Sequence, residues 1–128
     1  MLDHISIPVA DVERAAVFYD AVLATIGLRR RRERPGEIGY GSGTNAPPVF
    51  WILERHGEEC ASPGVGFHVS FQAPNRPSVD SFHETAIRLG GRDAGKPGLR
   101  PQYTATYYGA FVLDLDGFKI EAVCRAPQ

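Results

Sequence analysis

Apolar and polar positions alternate at the start of the chain. Ile5, Ile7 and Val9 fall on one side of an extended segment and His4, Ser6 and Pro8 on the other, which predicts a half-buried strand over 4–9. The period then changes. Val12, Ala15, Ala16, Tyr19, Val22, Leu23 and Ile26 recur at helical spacing, so a helix is predicted over 12–26, opened by Asp11 as N-cap and stopped by Gly27. Short strands are predicted near 28–33, 37–41 and 48–55, punctuated by Pro35-Gly36, Gly41-Ser42-Gly43 and Pro47-Pro48.

The pattern then restarts. Phe67, Val69 and Phe71 alternate with His68, Ser70 and Gln72. Pro77 suits the first turn of a second helix with the apolar stripe Val79, Phe82, Ala86 and Leu89, ended by Gly90-Gly91. A glycine- and proline-rich stretch, 93–101, leads to Tyr103. A strand is predicted near 107–113, then the turn Asp114-Leu115-Asp116-Gly117, then a last strand over 118–124. His4 and His68, Phe18 and Phe82, Leu23 and Ile87, and Gly27 and Gly91 are each 64 positions apart. An offset kept through strand, helix and helix stop indicates an internal duplication of a βαβββ unit. The expected organisation is a single domain over 1–128, with a first unit at 1–56, a second at 65–126 and a linker within 57–66.

Length and charge narrow the partners. The chain has 128 residues, and 14 Lys+Arg against 15 Asp+Glu leave a net charge of −1. That balance argues against nucleic acid and anionic membrane as partners. No apolar run approaches a membrane span, and the N-terminus lacks the basic and apolar regions of a signal peptide. Arg29-Arg30-Arg31-Arg32 with Arg34 reads as a solvated edge strand balanced by Glu33 and Glu37. Alternation would let one pair reach a cavity and grip a carboxylate or phosphate. Cys60 and Cys124 form no metal or disulfide motif, which fits a reducing cytoplasm, and Cys124 is expected in the core.

Candidate chemistry gathers on the strands. His4 and His68 start the first strand of each unit, on the side expected to face away from the helices, and Glu121 alternates with Ile120 and Ala122. A carboxylate inside an apolar strand is costly without a cation. Two imidazoles and one carboxylate suit one divalent ion, such as Fe, Mn, Ni or Zn, with coordination positions left open. Tyr103, Tyr107 and Tyr108 follow a loop containing Arg100; they read either as strand aromatics or as donors to a developing oxyanion. His56 and His83 read as surface residues.

Three segments resemble the vicinal oxygen chelate superfamily, which holds glyoxalase I, bleomycin resistance proteins, fosfomycin resistance proteins and extradiol dioxygenases. They are His4-Ile5-Ser6-Ile7-Pro8-Val9 with Val17-Phe18-Tyr19, then Gly66-Phe67-His68-Val69-Ser70-Phe71, and then Phe111 through Glu121, in which Leu115 stands where a proline is usual. The resemblance implies an α+β fold of two βαβββ modules forming a curved mixed sheet around a concave site. It implies one divalent ion held by His4, His68 and Glu121, and a small-molecule substrate chelated through neighbouring oxygens. Tyr103, Tyr107 and Tyr108 would then assist Glu121, and Trp51, Ser70 and Arg100 would line the substrate pocket. Glyoxalase I has a further glutamate ligand on the last strand of its first unit. Matching the strand 49–54 to 119–123 places Trp51 there, which argues against lactoylglutathione lyase activity. The alternative is a non-catalytic binding protein of the bleomycin-resistance type. A homodimer is expected, with His4 joining the site from either its own or the partner chain.

Overall fold

The computed structural model describes residues 1–57 and 64–127; Cys60 and most of the expected linker lie outside them. The first unit runs β1 (Ile5–Val9), α1 (Val12–Ala24), β2 (Arg29–Arg34), β3 (Glu37–Gly41) and β4 (Phe50–Glu54). The second runs β5 (Val69–Gln72), α2 (Arg76–Arg88), β6 (Arg92–Leu99), β7 (Tyr108–Leu113) and β8 (Lys119–Cys124).

Local chemistry sets the helix ends. The Asp11 side chain accepts from the Arg14 backbone N–H, and Asn75 does the same for Ser78, so both helices begin on a side-chain cap. α1 stops two residues short of the predicted end, because Thr25 turns its hydroxyl onto the Val22 carbonyl at 2.6 Å. Gly27 then takes the left-handed φ of +89° that a side chain disfavours.

Each unit folds into a four-stranded mixed sheet, in the orders β1-β4-β3-β2 and β5-β8-β7-β6. β1 runs parallel to β4 and β5 to β8, while the other neighbours are antiparallel. One face of each sheet carries the core. Ile7, Val9, Ile38, Tyr40, Phe50 and Ile52 pack beneath α1 and its buried stripe; Val69, Phe71, Ala110, Val112, Ile120, Ala122 and Cys124 pack beneath α2. Phe67, expected to join them, precedes β5 and stays exposed. Most of the stretch 93–101 is strand, as part of β6. Its glycines and Pro97 are absorbed as two register shifts, at Asp93/Gly95 and Gly95/Gly98, on the outer edge of the sheet.

Packing and hydrogen bonds tie the halves together. α1 packs on α2, and Phe50 meets Phe71 edge-on with ring centroids 5.1 Å apart. The Tyr19 hydroxyl donates to the buried Asp114 carboxylate at 2.6 Å, and the Ala10 N–H donates to Asp116 at 3.1 Å. Asp114 also accepts from the backbone N–H groups of Asp116 and Phe118, which fixes the turn between β7 and β8. Among the described residues no helix is long and apolar enough to cross a membrane.

Candidate functional site

Alternation along β8 sends Ile120, Ala122 and Cys124 toward α2 and leaves Glu121 on the open face. Glu121 is nevertheless 0% exposed. Its carboxylate is held from both sides: Oε1 lies 3.2 Å from His68 Nε2, and Oε2 accepts from the Tyr107 hydroxyl at 2.5 Å. Burial, and then the hydrogen bond to Glu121, push the Tyr107 hydroxyl up to about 12. Phe111, the cross-strand partner of Glu121, stacks on the His68 ring with centroids 5.6 Å apart. These groups line a cleft of about 480 Å³ together with Tyr103 and Arg125. Tyr103 stands edge-on to Tyr107 at 4.9 Å, and the Arg125 guanidinium lies 4.8 Å over the Tyr107 ring.

The other expected site residues are placed differently. His4 is half exposed and its Nδ1 lies 2.6 Å from Asp3. It shares with His68 and Ser70 a shallow cleft of about 290 Å³ between β1 and β5, but the described residues of one chain gather no group of three His, Cys, Asp or Glu able to hold a metal. His68 and Glu121 thus fit two ligand positions, and no third ligand gathers with them among the described residues of one chain. Ser70 pairs with Glu121 in the sheet register and is exposed. Tyr108 leaves the candidate set. Successive strand residues point to opposite faces, so with Tyr107 toward Glu121, Tyr108 turns to α2 and donates to Asp80 at 2.7 Å. Arg100 spends its guanidinium on the carbonyls of Gly98 and Lys96, which pins the irregular edge of β6.

Trp51 sits at the matching place in the other half. Ser6 pairs with Trp51 as Ser70 pairs with Glu121. The indole lines a separate cleft with His4, Ser6 and Arg34, and the Arg34 guanidinium lies 5.0 Å over its ring. Glu54 turns away, accepting from the Val12 N–H at the start of α1 at 3.0 Å. His83, expected at the surface, has a side chain only 12% exposed and bonds to Asp93 at 2.9 Å. Phe111, Arg125 and the clearance at Gly109 were missed. The signal for Phe111 lay in the hairpin: counting back from Glu121 across the turn at Asp114–Gly117 reaches it.

Comparison with known proteins bears on the family and the fold. The family model described as "Glyoxalase/Bleomycin resistance protein/Dioxygenase superfamily" matches residues 1–122. A glyoxalase/bleomycin resistance protein from Albidiferax ferrireducens T118 is 31% identical, over 95% of this chain and 97% of that one, with a TM-score of 0.83. A glyoxalase/bleomycin resistance protein/dioxygenase family enzyme from Burkholderia phytofirmans PsJN is 18% identical over 98% of each chain, with a TM-score of 0.72. A V278E mutant of glyoxalase I from Zea mays is 22% identical over 95% of this chain and 45% of that one, with a TM-score of 0.72. No curated protein is significantly similar.

Proposed function

The chain belongs to the Glyoxalase/Bleomycin resistance protein/Dioxygenase superfamily, and from that premise we propose that it is a metal-dependent enzyme acting on a small molecule. The observation that carries this reading is the Glu121 carboxylate, fully buried yet set beside His68 at the wall of an open cleft. A carboxylate removed from water calls for positive charge, and an imidazole beside it makes most of a two-His-one-carboxylate ligand set. His4 of a second copy supplies the third ligand, in a homodimer. A divalent ion there, Fe, Mn, Ni or Zn, would polarise two neighbouring substrate oxygens as a Lewis acid. Tyr107 fixes the orientation of the carboxylate, and Phe111 fixes the plane of the His68 ring. The exposed hydroxyls of Tyr103 and Ser70 are the groups that orient the substrate.

Mixing variants tests the shared site. His4→Ala chains and Glu121→Ala chains should each lose tight ion binding. Heterodimers of the two contain one intact site, so random mixing should return about a quarter of wild-type occupancy. A monomer in light scattering, or no recovery on mixing, removes the shared site. Full occupancy in Glu121→Ala removes the ion site altogether.

One observation favours a second reading, a binding protein without chemistry. His68, Glu121 and Tyr107 satisfy one another without an ion, and the cleft beside them is largely aromatic. Elemental analysis of untagged protein separates the two: the binding protein would contain no stoichiometric metal.

A further inference from the structure

The cleft beside Glu121 holds a cation with no anionic partner among the described residues. Arg125 follows β8, is exposed, and rests its guanidinium on the Tyr107 ring. It makes no hydrogen bond or ion pair with any described residue. Arg30, by contrast, is engaged by Asp20 and Glu33, and Arg100 by two carbonyls. The only acidic group among the described lining residues is Glu121, already engaged by His68 and Tyr107. Lys119 adds positive charge on the same face, with its ammonium 4.8 Å from the Phe111 ring. Tyr103, Tyr107 and Phe111 give the wall its aromatic surface, and Gln102 and Thr104 complete it.

We propose that Arg125 determines specificity, selecting a substrate that bears a carboxylate on a flat ring. The guanidinium fork matches a carboxylate in two parallel hydrogen bonds. Stacking on Tyr107 already orients that fork, so little freedom is lost when the anion binds. The ring of the substrate lies against the aromatic wall, leaving its other substituents toward His68 and Glu121. This substrate class rests on the enzyme reading above.

Benzoate and its neutral analogue benzamide test the assignment, titrated into ion-free protein by ligand-observed NMR. Wild-type protein should bind benzoate about 10-fold more tightly than benzamide, the scale of one charge-assisted pair. Arg125→Gln should lower benzoate to the level of benzamide while keeping wild-type ion occupancy, and Arg29→Gln on the far edge should keep the preference. Equal binding of the two probes overturns the proposal. So does a preference that survives in Arg125→Gln, or no benzoate binding up to about 10 mM. Because the titration contains no ion, a benzoate preference in a protein that never binds metal would sink the enzyme reading alone. Metal binding without that preference would sink the Arg125 assignment alone.

Discussion

Gly109 owes its place to what stands across from it. A Cβ there would lie 3.0 Å from Glu121 Oε2 and 3.1 Å from Tyr107 Cε1, closer than ordinary packing allows. A side chain there would press on both the tyrosine and the carboxylate it holds. Gly109→Ala and Tyr107→Phe should each weaken divalent-ion binding by about 10-fold or more, the usual cost of losing a group that orients a ligand. Competition against a chromophoric chelator measures it, and unchanged affinity in both variants would show that Tyr107 does not hold Glu121 for the ion. At this scale the sequence was partly legible. Alternation put Glu121 on the open face and His68 beside it. It also held the phase that separates Tyr107 from Tyr108: odd-numbered residues of β7 share a face with Glu121 through the pairing of Phe111 with Glu121. The predicted strand began at His4, whereas β1 begins at Ile5, and the spacing along one chain carries no mark of where a second chain's residues would fall.

The turn between β7 and β8 locks one element to the other half of the molecule through Asp114. Burial raises its pKa above the ordinary 3.8, against the pull of Tyr19 and of two backbone N–H groups. Between 3.8 and the raised value, the folded protein holds a proton that the unfolded chain releases. This group's contribution to stability is therefore largest at low pH, falls as pH rises through that window, and is constant above it. Asp114→Asn keeps the shape and the acceptor for the backbone N–H groups but cannot titrate. Urea unfolding at several pH values should show wild type losing ground to Asp114→Asn as pH climbs through the window; a pH-independent difference would mean that burial does not perturb Asp114. Both helices and most strands were readable from period and caps. β6 was not read as a strand in its own right, because Gly95, Pro97 and Gly98 carry loop chemistry, and only the duplication called for a strand there.

Across the whole molecule, the two halves keep one topology, and at the register position of Glu121 the first half carries Trp51. Isomerising a glutathione hemithioacetal requires a base that lifts a proton and returns it one carbon away, and an indole cannot serve. Losing a positioned base costs about 10²–10⁴-fold in rate. Protein loaded with Ni or Zn should therefore form little thioester from methylglyoxal and glutathione. Turnover typical of glyoxalases, undiminished in Trp51→Ala, would show that the second carboxylate is not needed. The duplication also leaves the molecule with outer strands to protect. β2 and β6 each end a sheet and present unpaired backbone groups outward. β2 consists of five arginines and one glutamate and is broken in register between Arg30 and Arg32, while β6 carries Pro97 and two further breaks. Charge, kinks and a missing N–H make both edges poor templates for a passing strand, so the arginine run, which reads in the sequence as a solvated edge strand, also works as a guard against fibrillar self-association.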